Sequence, residues 1–116
     1  MVTLRLERGP DGGLCGFEAE GHTAVAPSGQ DVVCAAVSAL TQTAALGLER
    51  RLGIRVRVKA APGRFACRLP ADVAPELRSR AEDLLETMRL GLLEIARVEP
   101  GALKLVEAAD PRSERR

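Results

Sequence analysis

Val2, Leu4 and Leu6 alternate with Thr3, Arg5 and Glu7, the period of two expected of a strand with one buried face. Gly9-Pro10-Asp11-Gly12-Gly13 is a dense turn signal. Leu14 to Glu20 follows with Cys15, Phe17 and Ala19 on one face, which predicts a β-hairpin. The pattern then lapses. Residues 21–30 show no apolar periodicity and contain Pro27, Gly21 and Gly29, so this stretch reads as a loop, long enough to carry function. From Val32 to about Leu52 the period becomes helical. Val33, Val37, Leu40, Ala44 and Leu48 form one stripe, and Cys34, Ser38, Thr41 and Ala45 form a smaller, weakly polar stripe beside it. Asp31 is a natural N-cap, which makes Cys34 the third helical residue, and Gly53 is a suitable terminator.

Ile54, Val56 and Val58 alternate with Arg55, Arg57 and Lys59, Ala61-Pro62-Gly63 turns the chain, and Phe65, Cys67 and Leu69 alternate again, giving a second hairpin. After a loop from Pro70 to Pro75, Leu77, Ala81, Leu84, Leu85, Met88, Leu92 and Ile95 mark a long helix over roughly Glu76 to Val98. Glu99-Pro100-Gly101 ends it, and Ala102 to Glu107 predicts a last strand. The order ββαββαβ implies an α+β fold, a mainly antiparallel sheet with two helices packed on it. Residues 1–109 form one domain in this reading, and 110–116 a frayed, flexible tail.

Composition narrows the function. The chain has 116 residues, 46% of them hydrophobic, but only two Phe and no Tyr or Trp. It has enough apolar material for a core but lacks the aromatic platforms on which single-stranded nucleic acid stacks. Net charge is +1, and because the last seven residues hold three Arg, one Asp and one Glu, the rest is balanced. Such a body has no electrostatic footprint for bulk nucleic-acid binding, and no nucleic-acid partner is expected. Arg50, Arg51, Arg55 and Arg57 do cluster locally, as a solvated face or a phosphate-binding patch. No apolar run approaches the roughly 18 residues that span a membrane, and Met1 leads straight into alternating sequence with no secretory pattern. Cys15, Cys34 and Cys67 are an odd number, without CxxC spacing, and too dispersed to predict a metal site; they fit a reducing cytoplasm. No glycine motif for phosphate cradling occurs and no cofactor is expected.

One segment concentrates chemistry. His22 is the only histidine, and Cys34 lies twelve residues later, where the loop meets the helix. A thiol at a helix start is favoured as thiolate, and an imidazole is the side chain suited to exchange its proton near neutral pH. Cys15 and Cys67, each on the apolar face of a predicted strand, read as buried packing residues. Asp31 has two readings, as the cap or as the group that orients His22. Ser38, one turn beyond Cys34 on the same helical face, either packs or hydrogen-bonds near the thiol. Gly21, Ser28 and Gly29 give the loop conformational freedom. These residues are compatible with a cysteine peptidase, with a non-catalytic peptide-binding module, or with a thiol redox sensor built on Cys34.

Gly21-His22, the twelve-residue gap, Gly29 and then Asp31-Val32-Val33-Cys34-Ala35-Ala36-Val37-Ser38 closely resemble the signature of the bacterial ribosomal-processing cysteine protease family, Prp. The resemblance implies an endopeptidase that removes the N-terminal extension of large ribosomal subunit protein twenty-seven during ribosome assembly. It implies Cys34 as nucleophile, His22 as base, Asp31 as the accompanying acidic residue and Ser38 lining the site. It also implies a homodimer with a substrate-responsive loop. The run after His22, Thr23-Ala24-Val25-Ala26-Pro27, is more apolar and stiffer than is usual in the family.

Overall fold

The computed structural model describes residues 1–21 and 30–114, with the backbone alone at residues 30, 31, 113 and 114. Its order is β1 (Val2–Arg8), β2 (Leu14–Glu20), α1 (Gln30–Leu46), β3 (Arg57–Ala61), β4 (Arg64–Arg68), α2 (Pro75–Val98) and β5 (Leu103–Ala109). The strands form one sheet in the order β3-β4-β2-β1-β5, antiparallel except where β5 joins β1 in parallel. This is the expected single α+β arrangement. The parallel pair is reached by the long crossover through α2, as parallel neighbours require.

The period of two explains the covered face. Val2, Leu4, Leu6, Phe17, Cys67 and Leu103 point into the core, where they meet the inward stripes of both helices. Of α1, Val33, Val37, Ala44 and Leu48 are buried; of α2, Ala81, Leu85, Met88 and Leu92. The helices approach closely because glycines leave room. A Cβ on Gly91 would stand 3.0 Å from Leu40 Cδ1, and one on Gly47 would stand 2.9 Å from Leu84 Cδ1. The stretch Val32–Arg51 is apolar enough, at mean hydropathy 1.4, to cross a membrane by length and composition, contrary to the expectation that no run approaches that limit. Of its apolar positions, Val33, Val37, Ala44, Ala45 and Leu48 are buried in the core of the domain.

Four local expectations change. Asp31 lies inside α1, whose described residues begin at Gln30, so it is not the cap, and Cys34 stands deeper in the helix than the third position. The end of α1 widens into a π turn over Gly47–Arg51 before Gly53, at φ +70°, stops it as anticipated. β3 begins at Arg57 and not at Ile54. Ile54 is buried beneath the π turn, where its N–H donates to the Leu48 carbonyl at 3.0 Å, so the alternation there serves packing and not a ladder. Last, Asp110 to Glu114 stays on the body. β5 runs on to Ala109, and Pro111–Glu114 form a 3₁₀ turn. Asp110 is buried, and Arg112 reaches the Leu69 carbonyl at the end of β4 with a 2.8 Å hydrogen bond.

The other face of the sheet is open and ionic. Glu7 is fully buried there although it belongs to the polar register of β1. The Arg68 guanidinium holds it with two hydrogen bonds, Nε to Oε1 at 2.7 Å and Nη2 to Oε2 at 2.8 Å, and also reaches Glu18 at 3.1 Å. Gly16, opposite Arg68 on the intervening strand, makes this reach possible. Any Cβ there would lie 2.8 Å from the Cys67 carbonyl oxygen and 2.9 Å from Arg68 Cγ.

Candidate active site

Cys34 projects from α1 into a cleft of about 190 Å³ between that helix, the start of β1, β2 and the tip of the β3–β4 hairpin. Ser38 and Gln42 line the same cleft one and two turns further along, as the i, i+4, i+8 phase of a helix requires. Cys34 and Ser38 are both half-buried, neither locked in the core nor on the open surface. Thr41, just behind them, is fully buried and donates its hydroxyl to the Val37 carbonyl at 2.9 Å, so it lines the cleft without offering a free donor. The opposite wall is Ala60, Ala61, Gly63, Arg64 and Phe65.

The glycine before the histidine is anchored at this cleft. Gly21 has φ +99°, and a Cβ on it would sit 2.4 Å from the Met1 carbonyl oxygen, so only glycine fits. Its N–H donates to the Gly63 carbonyl at 3.1 Å, and Gly63 is part of the wall facing Cys34. The chain therefore leaves β2 at the rim of the cleft. His22, Ser28 and Gly29 lie outside the described residues, as does the side chain of Asp31. Of the predicted set, Cys34, Ser38 and Gly21 come together around one cavity.

The other two cysteines are different. All three are free thiols. Cys15 is buried on β2, and burial together with the neighbouring Asp110 charge pushes its thiol up to about 12. Burial likewise pushes Cys67 up to about 11. Both shifts favour the protonated thiol near neutral pH, which suits packing residues. Cys15 lines a separate cavity as a buried thiol, whereas Cys34 is half-buried in the cleft it lines.

Sequence reasoning missed the far wall. Nothing in Ala60 to Phe65 marks those residues as neighbours of Cys34, because the juxtaposition arises from the sheet order, in which β4 lies beside β2. The only hint was the tight turn at Pro62-Gly63, which fixes how far the hairpin tip projects.

Comparison with known proteins follows the same lines. A Streptococcus mutans protein, SMU.848, has a similar structure with a TM-score of 0.83 at 24% identity, covering 95% of this chain and 99% of that one. The Staphylococcus aureus ribosomal processing protease Prp, in complex with a substrate peptide, gives 0.82 at 20% identity, over 93% and 100%. At those identities the likeness establishes the fold. In sequence, the ribosomal processing cysteine protease Prp of Bacillus subtilis (strain 168) is 32% identical over 99 residues, 84% of this chain and 88% of that protein. The family model of the cysteine protease Prp matches residues 1–104. Spanning the helices, all the cleft walls and the Gly21–Ser38 segment, that match makes this chain a member of the Prp cysteine protease family.

Proposed function

We propose that this protease removes the N-terminal extension of large ribosomal subunit protein twenty-seven during ribosome assembly, with Cys34 as nucleophile and His22 as base. The observation that carries the reading is the cleft itself. It holds Cys34, and its rim is tied through Gly63 to Gly21, the residue before His22. The Cys34 thiolate attacks a backbone carbonyl of the extension and forms a tetrahedral oxyanion that backbone N–H groups at the start of α1 stabilise. Its collapse breaks the peptide bond as His22 protonates the leaving amine. Water then hydrolyses the thioester, releases the new carboxylate and restores the thiol. Asp31 and Ser38 support the site. A cleft formed by a helix and a hairpin tip suits an extended peptide, and the Staphylococcus aureus relative is seen with a substrate peptide.

The test is to mix the purified protein with the full-length ribosomal protein precursor from the same host and follow its N-terminal mass. Discrete truncation by the wild type, absent with Cys34→Ala and with His22→Ala, is expected. Binding of the precursor without truncation by any form would instead support a peptide-binding module. The family resemblance further implies a cytoplasmic homodimer. The apolar groove between α1 and α2, lined by Val32, Leu40, Ile95 and Val98, offers surface for a second copy. Light scattering that gives the mass of one chain would refute the dimer.

A further inference from the structure

A second cavity, of about 330 Å³, lies on the open side of the sheet, away from Cys34, and is lined by Arg57, Lys59, Arg68, Pro111 and Arg112. Four of its five residues are cations, drawn from the β3–β4 hairpin and from the 3₁₀ turn more than 40 residues later in the chain. The balanced overall charge conceals this concentration. We propose that this pocket is a binding site for phosphate groups.

The four cations divide into two pairs. Arg68 and Arg112 are fixed. Arg68 is held by Glu7 and Glu18, and Arg112 by two nitrogens on Asp110, at 3.0 and 2.8 Å, and by the Leu69 carbonyl. Arg57 and Lys59 are exposed and, among the described residues, have no carboxylate partner. The pocket thus has a hydrogen-bonded floor whose charge is largely compensated and two exposed cations whose charge is not. Two uncompensated positive charges match one phosphate dianion, or two successive phosphodiesters, better than a single carboxylate. Arginine presents to phosphate the planar pair of donors that the oxyanion accepts.

The strand register disfavours a purely structural reading. Arg57 stands directly opposite Arg68, and like charges in facing positions of an antiparallel pair are unfavourable. Lys59 follows two residues on, so it shares a face with Arg57. β3 is an edge strand, where charges also discourage edge-to-edge pairing, but that role does not call for gathering them around one cavity with Arg68 and Arg112.

The phosphate belongs either to a nucleic-acid backbone or to a small free anion, and two probes separate these sources. Inorganic phosphate is titrated into the intact protein by calorimetry, and a fluorescent ten-nucleotide oligouridylate is titrated by anisotropy at several salt concentrations. Both are repeated with the Arg57→Gln/Lys59→Gln variant, whose changed side chains are exposed and whose peptide cleavage at Cys34 is expected to be unaltered. Wild-type binding of either probe, weakened at least tenfold in the variant, is expected. For the oligonucleotide, the slope of log affinity against log salt should also fall by about 1.4, since each single-strand phosphate contact contributes about 0.7. Loss confined to inorganic phosphate assigns the site to a small anion. No wild-type binding of either probe, or equal binding by the variant, overturns the proposal. Cleavage is read separately, so this outcome leaves the protease assignment untouched.

Discussion

Cys34 and the pair Cys15 and Cys67 share a side chain and differ in everything that surrounds it. The pair lies on strands, facing inward by the period of two, and burial holds both thiols far above neutrality. Cys34 lies on a helix, one step off the core stripe, where the same side chain packs against the core yet stays half-exposed. Element type and phase, and not residue type, decide which sulfur is available for chemistry. One residue of rotation on α1 would bury Cys34 with Val33 or turn it to solvent with Ala35.

The largest expected effect breaks this comparison outright. Cys34→Ala should lower precursor cleavage by a factor of about 10³ or more, as loss of a nucleophile does. Cys15→Ser and Cys67→Ser should retain it within a few-fold wherever they fold, as mass-spectrometric time courses would record. A cleaving Cys34→Ala protein would move the chemistry elsewhere.

Labelling sharpens the same contrast. With iodoacetamide at pH 7, Cys34 should be modified at least a hundred times faster than the others. A thiol at about 11 is ionised to roughly one part in ten thousand at that pH, and burial restricts access further. Peptide mapping after timed quenching would show it, and equal rates in the folded protein would contradict it.

A smaller effect concerns the surroundings of Cys15. The Arg112 guanidinium holds the Asp110 carboxylate down to about 2, from an ordinary value of 3.8. A carboxylate with a depressed folded-state pKa adds stability that is fully present above its unfolded value. That stability is lost as the pH falls through the folded one. About 2 kcal/mol should therefore disappear between roughly pH 4 and pH 2, because one pKa unit is worth about 1.4 kcal/mol. Urea melts of the wild type and of Asp110→Asn should converge toward the low end of that window. Parallel curves would argue against the pair.

The sequence revealed periodicity well and partnership poorly. The inward stripes of both helices and the core faces of β1, β2 and β4 follow from apolar spacing alone, and so does the placement of Cys34 and Ser38 on one helical face. Glu7 shows the limit. Alternation placed it on a wet face, yet it is fully buried because Arg68 lies across Gly16 to meet it, a relation among three strands that no local window contains. Ile54 and Val56 alternate like strand residues, but the tight turn at Pro62-Gly63 sets the register of the β3–β4 pair, and β3 begins only at Arg57. Arg112 looked like part of a loose end because its carbonyl acceptor, Leu69, is 43 residues away. The far wall of the cleft escaped notice for the same reason.

The crowding of Met1 against Gly21 bears on how the protein is handled. The Met1 carbonyl lies against Gly21, and Val2 lines the cleft with Cys34. Whatever is joined ahead of Met1 starts at the mouth of the cleft, so an affinity tag placed there is delivered to the protease as a tethered peptide, at an effective concentration set by its linker.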